Sequence, residues 1–177
     1  MFSRLVAVAL LACVQLACAA TPDPAPNPSL NALFDREFKR DLQEFPETAT
    51  FLGIEGYNDR LHDASAQAAA RRKAHVKSVL VELAAFDPTK LSAQDHISLS
   101  MMVYDLRRQD ALNALYGDLR FGAGNDGWLQ VTPSGGPHAD FHSVAKGMPF
   151  RNARDYDNYL KRLEALPLLI EQTTQIM

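Results

Sequence analysis

The feature that most constrains this fold is a helical spacing of apolar residues, which recurs in separate segments along the chain. In the first of these segments, apolar side chains fall three or four positions apart: Leu30, Leu33, Phe34, Phe38, Leu42 and Phe45. That spacing places them on one buried face of a helix. A second segment repeats it with Val76, Val79, Leu80, Leu83 and Phe86. A late segment does so with Tyr156, Tyr159, Leu160 and Leu163. The pattern predicts an all-α fold, mainly helical.

Proline and short polar residues predict where these helices begin and end. Pro46 ends the first helix and opens a short one in "PETATFLG", since proline suits the first helical position. The later helix starts are predicted at side chains that can accept backbone N–H groups. These are Asp63 or Ser65, Ser92 with Asp95 in a capping-box variant, and Asn152 with Asp155. Pro167 is expected to kink or interrupt the last helix.

The third helix carries two neighbouring apolar stripes, which predicts a helix packed on two sides. One stripe contains Ile97, Met101 and Tyr104, and the other contains Leu99, Met102, Val103 and Leu106. Residues 117–136 then change in character to a long Gly-rich loop that includes Trp128. No phosphate-binding motif follows "GAGNDG", and Ser134 lacks the turn that exposes a serine nucleophile.

The N-terminal residues are predicted to be an export signal followed by a linker. Residues 1–20 contain one positive charge, an apolar run too short to span a membrane, and small residues that suit cleavage after Ala19 or Ala20. Residues 21–29, "TPDPAPNPS", form a Pro-rich linker, and residues 30–177 form the helical domain. The protein is therefore expected to be periplasmic or secreted and not integral to the membrane. Lipid attachment at Cys18 is the less favoured alternative.

The charge balance argues against a nucleic-acid partner. The chain has 18 Lys and Arg against 21 Asp and Glu, a net charge of −3, so no basic stripe is available for phosphates. The run Arg71 to Lys73 is interpreted as a solvated helix face. Four charged residues of the third predicted helix are interpreted as pairs on the helix surface: Asp105, Arg107, Arg108 and Asp110.

The only metal-like spacing is "HADFH", where His138 and His142 lie one helical turn apart. Zinc sites use three or four protein ligands, and a catalytic site also needs a general base. No glutamate follows His138, and no spacing favours His62, His75, His96 or a carboxylate as the third ligand. In the loop "YNDRLHD", Arg60 is expected to bridge to Asp59 or Asp63. The sequence thus predicts no catalytic, cofactor-binding or metal-binding residues in this chain.

Three stretches resemble the N-terminal part of a bacterial family called domain of unknown function 885. They are "FPETATFLGIEGYNDRLHDAS", "LSAQDHISLSMMVYDLRRQ" and "MPFRNARDYDNYLKRLEALP". The similarity runs from about Leu30 to the end of the chain. It implies a longer, mostly helical, exported protein whose C-terminal half carries an H-E-x-x-P-G-H type motif. Such members look like zinc metallopeptidases that act on peptide substrates.

This chain ends before any such motif, with an apolar pattern that is still incomplete at Ile176 and Met177. The resemblance therefore implies a partial domain of a larger metallopeptidase-like fold, truncated and non-catalytic by itself. No cofactor is expected here, and zinc is implied only for full-length relatives. The alternative from another class is an autonomous periplasmic helical binding or interaction module. A weaker third interpretation is a small metal-binding protein that uses His138 and His142.

Overall fold

A computed structural model describes residues 23–116 and 135–175, together with 131 and 133. The described residues form six α-helices and no strand, so the predicted all-α fold is confirmed. The helices are α1 Pro28–Glu44, α2 Pro46–Phe51, α3 Ala66–Leu83, α4 Ala93–Tyr116, α5 Pro137–Gly147 and α6 Ala153–Gln175. A short 3₁₀ turn, Pro88–Lys90, links α3 to α4.

The main apolar core lies where α1, α3 and α4 meet. Its buried side chains are Leu30, Leu33, Val79, Leu83, Leu91 and Leu99. The buried face of α1 differs from the prediction at one turn, because Glu37 is buried while Phe38 is 51% exposed. Glu37 lies against α3, where its carboxylate contacts His75 with Oε2 and Nε2 2.5 Å apart. A polar partner on the facing helix has thus replaced the expected aromatic contact.

A second packed region joins α2, α5 and α6. α2 packs against both α1 and α5, and α5 packs against α6. Gly147, the last residue of α5, lies so close to α2 that an added Cβ would be 3.1 Å from the Phe51 ring. This region holds the polar cluster described below.

The predicted helix starts are largely confirmed. Ser65 caps α3 by accepting a hydrogen bond from the Ala68 N–H, and Asn152 accepts one from the Asp155 N–H at the start of α6. Pro46 occupies the first turn of α2 as predicted. Pro167 does not interrupt α6, which continues through it to Gln175. Proline has no backbone N–H, so one helical hydrogen bond is not formed at Pro167, and the helix continues before and after it.

The Pro-rich segment is attached to the domain rather than separate from it. α1 begins at Pro28 with Asn27 as its cap, two residues earlier than the predicted domain start at Leu30. The Asp95 carboxylate, predicted to complete the capping box around Ser92, instead accepts the Asn27 N–H at 2.6 Å. Asp23 accepts the Ala93 N–H at 2.9 Å. Residues 23–27 are thereby fixed to the start of α4.

The prediction that α4 packs on two sides is wrong for the described part of the chain. Leu99 is buried, and Met102, Val103 and Leu106 pack against the core. The other stripe, called the α4 face here, is solvent-exposed: Ile97 by 53%, Met101 by 63% and Tyr104 by 69%. No described element covers that side, which is why one apolar stripe remains exposed.

α6 also exposes apolar residues at helical spacing. Tyr156, Leu160 and Leu163 are 55%, 54% and 38% exposed, and they form what is called the α6 face here. Leu168 is exposed as well, whereas Leu169 is buried. Within the described residues, α6 thus has an apolar stripe that no other element covers.

Within the described ranges, no helix has both the length and the apolar character to cross a membrane. The predicted signal, residues 1–20, and most of the Gly-rich loop lie outside the described residues, as do Trp128 and Ser134.

Candidate functional site

The connection between α2 and α3, residues 52–64, has no helix or strand and is called the strap here. Gly53 and Gly56 lie near its start with φ of 71° and 92°. Residues with a side chain rarely adopt such values, so glycine permits the turns there. Ala64 is the only buried residue of the strap, so apolar burial contributes little to holding it in place.

Arg162 of α6 lies at the centre of the polar cluster and is fully buried. Its Nη2 donates to the Thr50 hydroxyl at 2.8 Å and to the Tyr57 carbonyl at 3.2 Å. Its Nε donates to the Arg60 carbonyl at 2.9 Å. One side chain thus joins α6 to α2 and to the middle of the strap.

The remaining contacts of Arg162 are also with neutral groups. Nη2 lies 3.4 Å from the Pro46 carbonyl, and Nη1 lies 3.3 Å from the Met148 sulfur. Within the described residues no carboxylate forms an ion pair with it. Burial lowers the pKa of Arg162, while the negative charges of Glu47 and Asp59 oppose that shift. A buried cation held only by neutral acceptors is costly to form, so it depends on complete hydrogen bonding.

Glu47 and His62 form a second polar tie beside Arg162. One carboxylate oxygen of Glu47 lies 2.8 Å from Nδ1 of His62 and accepts the His62 backbone N–H at 3.0 Å. Burial would raise the pKa of Glu47, but the hydrogen bonds and charge of His62 outweigh burial and lower it. Glu47 therefore favours its ionised form while joining α2 to the strap.

Gln172 of α6 holds the far end of the strap. Its Oε1 accepts the Ala64 N–H at 2.9 Å, and its Nε2 donates to the Asp63 carboxylate at 3.1 Å. Between these ends, the Thr50 hydroxyl donates to Asn58 at 2.7 Å. The strap is thus held on α2 and α6 almost entirely by polar contacts.

The chemistry open to this cluster is limited while the strap is closed. An imidazole held by a carboxylate at Nδ1 is an arrangement that general bases use. Here, however, Nε2 of His62 is buried, with no hydrogen-bond partner within the described residues. A substrate cannot reach that nitrogen in this arrangement, so the geometry favours a structural role.

The histidines that suggested metal binding lie elsewhere. His138 and His142 are exposed on α5, and His96 is exposed near the start of α4. No group of three or more His, Cys, Asp or Glu side chains that could hold a metal occurs in the part of the chain that the structure describes. The expectation that this chain binds no zinc stays a prediction.

Two charge pairings predicted from the sequence are wrong. Arg60 bridges to neither Asp59 nor Asp63; it donates to the Gly56 carbonyl at 3.1 Å and lies over the Tyr57 ring. Asp63 pairs instead with Arg71 at 3.4 Å. Backbone turns at the strap direct Arg60 back onto its own loop. The expected surface pairs among the charged residues of α4 do not form within the described residues: Asp105, Arg107, Arg108 and Asp110.

The basic run of α3 also differs from its interpretation as a solvated face. The Arg72 side chain is only 12% exposed, contacts Glu44 at 3.1 Å, and lies over the Phe45 ring. Its long apolar stem explains how an arginine is accommodated between helices.

Sequence reasoning missed Arg162 and Glu47 as the residues that organise this region. One signal was present, because Arg162 lies seven positions before Leu169 and eleven before Thr173, both buried on α6. Those intervals place all three on one side of a helix. A charged residue on such a stripe indicates a buried polar partner.

Together these features define an all-helical domain with an apolar core at α1, α3 and α4 and a polar cluster at α2, α6 and the strap. A family model described as "Bacterial protein of unknown function (DUF885)" matches residues 46–177, and the chain belongs to this family. The resemblance to this family seen in the sequence is thus confirmed over residues 46–177, which include the strap and Arg162, whereas the similarity was expected from about Leu30. No curated protein and no solved structure matches the chain.

Proposed function

We propose that this chain is the N-terminal helical part of an exported, metallopeptidase-like protein and acts as one wall of its substrate cleft. These residues contain no H-E-x-x-P-G-H motif, so in this proposal zinc binding and catalysis belong to another part of the complete protein. The proposal assigns no catalytic, cofactor-binding or metal-binding residue to the chain. Zinc and a peptide substrate belong to the complete assembly.

The observation that carries this proposal is the pair of apolar faces on α4 and α6. Ile97, Met101 and Tyr104 repeat at intervals of four and three residues, as do Tyr156, Leu160 and Leu163. A helix normally buries such a stripe against another element. Two stripes that remain exposed support a unit built to pack against further helices.

The polar cluster supports the same role from the inside. Arg162 and Gln172 fasten the strap along α6, which gives this side of the domain a defined shape although the strap lacks regular structure. A cleft wall needs such a defined shape when the strap is closed, because a surface ordered before binding loses less free energy on binding.

The proposal is tested by supplying a zinc-binding half in trans. The chain is mixed with the separately expressed H-E-x-x-P-G-H half of a longer family member, and complex formation is followed by size-exclusion chromatography and amide exchange. We expect a complex in which α4 and α6 are protected. Leu160→Asp should abolish it, because a carboxylate would be buried without a partner. Lys161→Asp, at the neighbouring exposed position, is the matched control and should retain the complex.

The opposite result would favour the autonomous binding or interaction module. In that result the chain is a monomer and forms no complex. Its α6 amides, including those after Pro167, exchange as slowly as the amides of α3. The isolated chain could also self-associate. If Leu160→Asp removes that self-association, the result would still support exposed packing faces.

A further inference from the structure

The strap is held at two separate points along the same helix. Arg162 binds the carbonyl groups of Tyr57 and Arg60, and Gln172 binds the backbone N–H of Ala64. Ten residues separate Arg162 from Gln172, which is about 15 Å along a helix at 1.5 Å per residue. The strap therefore runs along α6 and is fastened near its middle and at its end.

Polar contacts, rather than apolar burial, determine whether the strap stays closed. Leu52 is 57% exposed, and the larger apolar side chains Ile54, Tyr57 and Leu61 are only partly buried. Segments with few buried apolar contacts open at a lower free energy than the core. Gly53 and Gly56 provide permissive backbone positions at the end nearest α2.

We propose that residues 52–64 are a conformational strap that opens as one unit, with Arg162 and Gln172 of α6 as its two latches. Opening would uncover Arg162 and Glu47 together and would separate His62 of the strap from Glu47, since strap atoms contact both Arg162 and Glu47. The position of α6 in the domain and the closed conformation of the strap are therefore coupled. This inference rests on the geometry alone and does not depend on the proposed function.

Two backbone amides report on this coupling, because each donates to a side chain outside the strap. The His62 N–H donates to Glu47, and the Ala64 N–H donates to Gln172. Neither amide contacts Arg162. If the strap opens as a unit, loss of one latch must accelerate exchange at the amide held by the other contact.

The experiment measures amide exchange by NMR in the whole chain and in two variants. In Arg162→Met we expect Ala64 to exchange at least about tenfold faster, and in Gln172→Ala we expect the same of His62, because each variant loses hydrogen bonds that close the strap. The Val79 and Leu83 amides of α3 should keep their rates. Lys161→Met and Gln175→Ala are the matched controls, because both residues are exposed on α6 and the Gln175 amide donates to Glu171 of the same helix.

Three outcomes would overturn the proposal. In Gln172→Ala, exchange could rise at Ala64 and not at His62, which would mean that the two ends open independently. It could remain unchanged at both amides in both variants. It could rise equally at Val79 and Leu83, which would make the latches part of global folding. Gln172→Ala keeps the test decisive where Arg162→Met fails to fold, because Gln172 lies at the edge of the cluster and is only partly buried.

Discussion

Arg162 carries a buried positive charge whose partners are carbonyl, hydroxyl and sulfur atoms rather than carboxylates. Such a group depends on every one of its contacts, since each unmade hydrogen bond in a buried site costs about 1–3 kcal/mol. Glu47 is different, because its negative charge contacts both the ring and the backbone of His62. These two residues bring opposite charges to the same region without a direct ion pair between them.

Glu47 should make stability depend on acid. Its pKa is lowered below the ordinary value of 4.5 in the folded state, so its contribution is fully present above that value and is lost as pH falls through the folded pKa. Glu47→Gln should lower the free energy of unfolding at pH 7 by about 1–3 kcal/mol and reduce the loss on acidification, as urea unfolding at pH 7 and pH 3 would measure.

The control for this prediction is Glu55→Gln, which alters an exposed glutamate of the same strap. It should leave both the stability and its pH dependence close to those of the wild type. Parallel pH profiles for Glu47→Gln and the wild type would contradict the assignment of acid sensitivity to the Glu47–His62 contact.

Residue-level details were the least predictable from the sequence. Periodicity assigned Phe38 to the inside of α1 and gave no role to Glu37, yet Glu37 is buried because His75 faces it from α3. Burial of Glu37 would raise its pKa, but the hydrogen bonds from His75 and Arg36 outweigh burial and lower it. A partner distant in sequence decides such cases, and local spacing does not reveal it.

At the scale of elements, the helix ends followed from local chemistry. Ser65 and Asn152 cap their helices with atoms only three residues away, so their roles were visible in short stretches. The second face of α4 did not follow, because its burial depends on what lies across from it. The Asp95 contact was missed for the same reason, since Asn27 lies 68 residues away.

Asp95 connects two elements and can be tested directly. Asp95→Ala removes the acceptor of the Asn27 N–H from a side chain that is 5% exposed. We expect a loss of about 1–3 kcal/mol in the free energy of unfolding and faster exchange of the Asn27 amide. Asp95→Asn, which keeps an acceptor oxygen, should recover part of that loss.

Asp105→Ala is the matched control for this prediction, because Asp105 is exposed on the same helix. It should change stability by less than about 0.5 kcal/mol. If the two alanine variants were equally stable, Asp95 would not hold α1 against α4.

At the scale of the whole molecule, helical periodicity was sufficient to predict an all-α chain, and three sequence stretches were sufficient to indicate its family. Neither the helical periodicity nor the family resemblance predicted the polar cluster. It brings Glu47 and His62 to Arg162, which lies 100 or more residues later in the chain, and this depends on the packing of α5 against both α2 and α6.

The mature chain is predicted to bind no zinc tightly, because His138 and His142 supply two ligands where a site needs at least three. Elemental analysis after dialysis should find far less than one zinc per chain. Stoichiometric zinc that disappears in a His138→Ala/His142→Ala variant would establish the small metal-binding protein instead.

Export is predicted to remove Met1 to about Ala20, as the order of charged, apolar and small residues indicates. Mass spectrometry of the protein recovered from the periplasm should show that loss. An intact N-terminus, or a lipid on Cys18, would contradict the predicted cleavage.

The attachment of Asp23 to the start of α4 limits how far the domain could stand from a membrane. Asp23 lies five positions after Cys18, and a fully extended chain of that length spans at most about 18 Å. A lipid on Cys18 would therefore hold the N-terminal end of α4 against the bilayer surface and restrict the orientations of the domain. Released by cleavage near Ala20, the same domain would diffuse and rotate freely.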